Sequence, residues 1–203
     1  MSANNSWCGI LLAAGSGRRF DASGQSNKLM QTLPSGMTVA ASSAKHLLAV
    51  LPLSVAVVAE HTPALATQLA EMGGDICVSS PPSAVSSQGM SYSLQCGLMH
   101  APAECAGWII ALADMPYVKT ETIAALVCAM QNGAGIAVPV HQGRRGNPVG
   151  FAKAYLPQLL ALCGDQGARS LLKIYPVSEV EVDDAGIFQD IDLPQDLIAS
   201  MNI

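Results

Sequence analysis

The chain has 203 residues, 50% hydrophobic and 12% charged, enough for a sizeable core that 4% aromatics leave mainly to Ala, Val, Leu, Ile and Met; at ~100–200 residues per domain, one domain is expected. A net charge of −5 lacks the broad basic surface that non-specific nucleic-acid or anionic-membrane binding requires, so no nucleic acid and no membrane are expected as partners. The longest apolar stretch, 47–59, is broken by Pro52 and Ser54, short of the ~18 residues of a membrane helix, and residues 1–7 lack a basic leader start; a cytoplasmic protein is expected.

Taken in chain order, residues 9–14 read as a buried strand, because Ile10, Leu11 and Leu12 have no polar alternation. A helix over 39–51 and a strand over 54–59 follow. Leu65, Leu69 and Met72 then fall at i, i+4 and i+7, one helical face. Residues 75–79 predict a strand, 89–99 a helix and 108–113 a fully apolar strand. Ile123, Leu126, Val127 and Met130 give another helical face, and 136–140, 149–151 and 179–182 are shorter strands, with a helix near 155–162. Repeated βα units predict an α/β fold with a mostly parallel sheet covered by helices on both faces, and no linker divides the chain. The six cysteines (8, 77, 96, 105, 128 and 163) form no C-x-x-C pair and sit mostly in apolar segments, which predicts buried, reduced thiols. Histidines 46, 61, 100 and 141 lack metal-ligand spacing, so no zinc site is expected.

Ligands of open α/β sheets sit at the carboxyl ends of the strands. After the first strand, Gly15, Ser16 and Gly17 expose backbone N–H groups whose dipoles sum to a local positive field. Arg18, Arg19 and Lys28 add full charges, so the stretch predicts a bound polyphosphate. It is neither G-x-x-x-x-G-K-[ST] nor G-x-G-x-x-G, since position 20 is Phe, which argues against a P-loop or dinucleotide fold. Asp114 ends the run WIIALA and precedes Met115-Pro116: either a turn aspartate or a hard oxygen ligand for Mg²⁺, which takes one or two protein carboxylates and fills its octahedron with phosphate and water. Asp192 is a second carboxylate, or the cap of a last helix with Pro194 at its first position.

Six segments together carry a resemblance. LAAGSGRRF (12–20) with Lys28 resembles the LAAGxSxRxG…K signature of nucleotidyltransferases with a GT-A-like fold. QGMSYSL (88–94), LADMP (112–116), RGNPV (145–149), GDQGAR (164–169) and DIDLP (190–194) resemble, in order, further motifs of the molybdenum cofactor cytidylyltransferase-like branch of the molybdopterin nucleotidyltransferase family. The resemblance spans nearly the whole chain. It implies a three-layer α/β/α nucleotide-diphospho-sugar transferase (GT-A, Rossmann-like) fold occupying residues 1–203 as one domain. It also implies roles. Leu12, Ala13, Ala14, Gly15, Ser16, Gly17, Arg19, Lys28, Pro81, Gly89, Ser93 and Asp114 would bind the nucleoside triphosphate. Ser91, Arg145, Asn147 and Arg169 would bind the acceptor, Asp114 and Asp192 would hold Mg²⁺, and Arg19, Lys28 and Asp114 would act in catalysis. Ala14, in LAAG, accompanies pyrimidine nucleotides, so CTP is favoured.

The implied reaction moves a nucleoside monophosphate onto a phosphorylated acceptor, most simply a molybdopterin-type one, and releases pyrophosphate. GTP as donor, a sugar-phosphate acceptor, and a non-catalytic accessory role around a molybdenum hydroxylase or its chaperone are the alternatives. Because the acceptor phosphate is itself the nucleophile, the chemistry needs alignment and charge neutralisation rather than a Ser/His/Asp constellation. The sequence departs from the branch at three places: a long spacer, 20–27, precedes Lys28; Asp21 stands where glycine is usual; and Asn147 stands where RGHPV has histidine.

Overall fold

The first strand has no polar side because helices cover both of its faces. In the computed structural model, which describes residues 6–15, 17–21, 23, 26–80 and 89–199, β1 (Trp7–Ala13) sends Leu11 and Ala13 to one face and Cys8 and Ile10 to the other. It pairs in parallel with β2 (Ser54–Ala59) and β4 (Gly107–Leu112), and β3 (Asp75–Ser79) extends the sheet beyond β2. Beyond β4 the sheet turns mixed. β7 (Val149–Ala152) lies antiparallel between β4 and β5 (Ile136–His141), and β6 (Arg144–Arg145) folds back on β5. β8 (Ser178–Glu181) runs parallel to β5, completing eight strands in the path β3-β2-β1-β4-β7-β5-β6 with β8 off it.

Three helices, α1 (Val39–Val50), α2 (Pro63–Glu71) and α4 (Thr120–Gln131), build the core on one face through Val39, Leu47, Leu65, Leu69, Ile123 and Leu126. The opposite face is covered by α3 (Gly89–His100), α5 (Leu156–Leu160) and a 3-10 segment (Gly164–Lys173), through Leu94, Leu98, Leu159 and Leu171. The layering is α/β/α, as expected from the alternation of elements. Gly97 lets α3 lie close on the sheet, since a Cβ there would stand 2.6 Å from Val57 Cγ2. Local chemistry sets the helix limits: Thr38 Oγ1 accepts from Ala41 N at the start of α1, which ends just before Pro52, and Pro63 opens α2. No helix among the described residues is long and apolar enough to cross a membrane.

Leu65 and Leu69 lie on α2, and Met72, its C-cap in helical backbone, is half-buried against the same core, as expected of one helical face. Two expectations shift. The thiols are all free, and Cys8, Cys77 and Cys105 are buried as expected, but Cys128 and Cys163 are exposed: α4 turns Cys128 outward, and Cys163 follows the end of α5. The last helix, α6 (Asp196–Ala199), starts two residues after Pro194, so neither Pro194 nor Asp192 serves as its start and cap.

Candidate active site

The register of the two central strands pairs Leu12 with Leu112, so the glycine loop and Asp114 leave the sheet side by side at its carboxyl edge. Ala113 N–H donates to the Leu12 carbonyl at 3.0 Å and keeps them together past the strand ends. The turn after β4 is held from below by α1, where Ser43 Oγ donates to Ala113 O and Ser42 Oγ to Pro116 O, both at 2.9 Å. The far end of the chain then docks: Ile191, buried in the core, donates its N–H to the Asp114 carbonyl at 2.8 Å. That bond sets Asp192 beside Asp114. Asp196 completes the fixing, its Oδ2 accepting from Asp192 N at 2.9 Å and Leu193 N at 2.7 Å.

The glycine loop is arranged locally. Gly17 takes φ +60°, a region that favours glycine, and its carbonyl accepts from Phe20 N and Asp21 N. Asp21 organises the long spacer. Its carboxylate accepts from Ser23 N (2.8 Å), Ser23 Oγ (2.6 Å) and Ser26 N (2.7 Å). Asn27 Oδ1 then accepts from Leu29 N at 2.9 Å and opens the 3-10 turn Lys28–Met30, which delivers Lys28 inward.

Lys28 is the hub. Its Nζ donates to Asp114 Oδ2 at 2.7 Å and to Asp192 Oδ1 at 3.0 Å, with the side chain only 10% exposed. Arg19 reaches the other oxygen of Asp192, Nη1 to Oδ2 at 2.6 Å, from an exposed position. Burial works against the Lys28 charge, but Asp114 and Asp192 outweigh it, and its pKa stands above the ordinary lysine value. Nearby, burial raises the Asp190 pKa, and repulsion from Asp192 and Asp114 adds to it, opposed by a backbone hydrogen bond and by Lys28. Two carboxylates converging on one cation are the donor set a small hard divalent ion takes, with the remaining positions left to phosphate and water. The residues therefore fit the expected Mg²⁺, although no cluster of three or more acidic, His or Cys ligands occurs among the described residues.

Around this hub, Leu12, Ala13, Ala14, Gly15 and Gly17 line the edge, with Ala13 buried and Ala14 half-buried. Ser16 and Pro81 lie outside the described residues. Gly89, at φ +47°, opens α3, where Ser91 is buried and Ser93 Oγ lies 3.4 Å from Ser79 Oγ. Met90 packs over Gly167, joining α3 to the Gly164–Lys173 segment, on which Arg169 is exposed. Asn147 donates its N–H to Ile187 O at 3.1 Å and lines a small cavity with Ser43, His46 and Met115 beneath the Asp114 turn. Arg145 is committed elsewhere, its Nε donating to Glu179 Oε1 at 2.6 Å on β8. The structure thus joins Arg19, Lys28, Asp114 and Asp192 directly, whereas Arg145 and Arg169 make no hydrogen bond or ion pair with them.

One supporting residue was not singled out from the sequence. Asp184 is 1% exposed, and its carboxylate accepts from Lys119 N (2.8 Å), Thr122 Oγ1 (2.6 Å) and Gly186 N (2.9 Å). It clasps the start of α4 to the segment that leads to Asp192. A signal existed in Lys119, which precedes α4 and has no side-chain oxygen to cap it.

Residues 9–182 match the MobA-like NTP transferase domain family. Among curated proteins, the chain is 32% identical over 113 residues to the purine catabolism protein PucB of Bacillus subtilis (strain 168), covering 54% of each chain. It thus spans about half the length of that relative. Among solved structures it resembles Rv0371c of Mycobacterium tuberculosis H37Rv (21% identity, TM-score 0.82, covering 98% of this chain and 99% of that one). It also resembles a nucleotidyl transferase from Methanothermobacter (20% identity, TM-score 0.79, covering 97% and 96%). Both likenesses are of fold.

Proposed function

This chain belongs to the MobA-like NTP transferase domain family, and from that premise we propose that it moves CMP from CTP onto the phosphate of a molybdopterin-type acceptor, releasing pyrophosphate. The single observation that supports the reading best is the meeting of Lys28 and Arg19, from the glycine-loop segment, with Asp114 and Asp192 at one point of the sheet edge. A non-catalytic binder needs no such pair of carboxylates. In this reading the whole chain acts as one nucleotidyltransferase unit.

The glycine-loop amides and the Lys28 ammonium bind and orient the triphosphate. An acceptor phosphate oxygen attacks the α-phosphorus; the new P–O bond forms as the α–β bridge breaks, and pyrophosphate leaves with the electron pair. Arg19 and Lys28 neutralise charge on the leaving group, and alignment of two bound reactants is worth about 7–11 kcal/mol of barrier. Asp114 and Asp192 would hold Mg²⁺, which supplies electrostatic stabilisation to the phosphoryl oxygens when bound. Ser91, Arg145, Asn147 and Arg169 are assigned to the acceptor side; Arg145 would first have to leave Glu179.

The test is pyrophosphate release from each of the four nucleoside triphosphates with Mg²⁺, with and without molybdopterin. CTP with molybdopterin should give the highest turnover. Equal or greater release with GTP would overturn the preference for CTP, and no release from any of the four would remove molybdopterin as the acceptor.

A further inference from the structure

In this structure the two metal-type carboxylates are already paired with cations. Asp114 and Asp192 bring two negative charges, and Lys28 and Arg19 bring two positive ones at distances of 2.6 to 3.0 Å. A divalent cation approaching alone meets carboxylates whose charge is largely offset by these two cations, and must displace a buried ammonium from two charge-assisted hydrogen bonds. Lys28 is also placed to leave. Its backbone is anchored by the 3-10 turn Lys28–Met30 and the Asn27 cap, while its stem lies against the glycine loop, with Cγ 3.7 Å from the position of a Cβ on Gly17. The ammonium therefore sits at the end of a flexible stem between the carboxylates and the loop whose N–H groups favour an anion.

We propose that Lys28 guards the carboxylate pair: it excludes the free divalent ion, and a bound triphosphate withdraws the ammonium so that the metal enters with or after the nucleotide, never before it. The inference rests on the nucleotidyltransferase reading of this site and adds an order of binding to it. It explains why Lys28 is buried against both carboxylates, where a lysine that served only the phosphates would lie exposed on the loop. It also gives Arg19 a separate part, because its Nη1 takes the oxygen of Asp192 that Lys28 does not, and so keeps that side chain aligned when Lys28 departs.

The test is protein-dependent Mn²⁺ binding, read from the free-ion EPR signal, in the wild type and in Lys28→Met, each with and without α,β-methylene-CTP. The wild type should bind Mn²⁺ about ten-fold or more tightly with the analogue than without it, and Lys28→Met should bind Mn²⁺ without the analogue about ten-fold more tightly than the wild type does. Equal affinity of the two proteins for Mn²⁺ alone overturns the guard and leaves the nucleotide reading standing. Absence of analogue-dependent Mn²⁺ binding in the wild type overturns both. A measurement on the wild type alone gives an independent answer: the ¹⁵N resonance of the Lys28 ammonium should be unmoved by Mg²⁺ and should shift on addition of Mg²⁺ with the analogue. A shift with Mg²⁺ alone overturns the guard.

Discussion

The side chain of Asp114 is 23% exposed and, among the described residues, bonds only to Lys28, which keeps Asp192 as a second partner if Asp114 is removed. No charge is then orphaned. Asp114→Ala should therefore keep its fold and near-wild-type thermal stability while losing turnover by about a hundred-fold or more, the size seen when one pre-placed electrostatic group is deleted from a polar site. Wild-type turnover at saturating Mg²⁺, or loss of the circular dichroism spectrum, would assign Asp114 a purely structural part. Ala14 makes the second point at this scale. It is half-buried at the mouth of the glycine loop, and a single methyl group discriminates by about 1–3 kcal/mol at most. Ala14→Gly should raise kcat/KM for GTP relative to CTP only partly; an unchanged GTP-to-CTP ratio would show that the methyl does not face the base.

Between elements, the site depends on a clasp outside it. Asp184 gathers three donors from the start of α4 and its own turn, and the chain it anchors runs on through buried Ile187 and Ile191 to Asp192. Asp184→Ala leaves the Lys119 and Gly186 amides and the Thr122 hydroxyl without their acceptor. The expected cost is about 3 kcal/mol, roughly 6–12 °C in Tm for a chain of this size. Because Asp192 is positioned through this segment, kcat should fall further than at a remote site of equal stability cost, with the KM for CTP less changed. A variant that melts at the wild-type temperature would show that the clasp does not bear on the fold. The spacer shows the same logic in miniature. Asp21, a negative charge near an anion-binding loop, has its carboxylate turned onto Ser23 and Ser26, so it shapes the loop that carries Lys28.

Across the whole molecule, the close-packed two-sided core sets the response to pH. Cys8 is fully buried in the central strand, and burial first, then its neighbour Cys105, push its thiol from 9.0 up to about 12. The folded pKa lies above the unfolded one, so the neutral thiol contributes stability that is fully present below pH 9.0 and is lost as pH rises toward about 12. Denaturant midpoints measured across that window should fall with pH, and Cys8→Ala should flatten the slope; identical slopes for the two proteins would place the titration elsewhere. Buried Cys8, Cys77 and Cys105 should also resist alkylation at pH 8 while exposed Cys128 and Cys163 react.

Local pattern determined the elements of this protein. Apolar runs without alternation mark β1, β2 and β4 because both faces of those strands are covered, and Thr38, Pro52 and Pro63 bound helices through backbone chemistry that acts within a few residues. Glycines after the first strand and an aspartate after the fourth pointed to the sheet edge for the same reason: strand ends are where side chains leave the core. The partnerships were decided only in three dimensions. Lys28 stands 86 residues from Asp114 and 164 from Asp192 in the chain, and no periodicity links them. Their meeting depends on the parallel register of β1 with β4, on the Ile191 amide reaching the Asp114 carbonyl, and on the buried Asp184 clasp. Ion pairing is set by distance in space, and that distance is fixed by strand register and long-range docking, neither of which is written in any local stretch of residues.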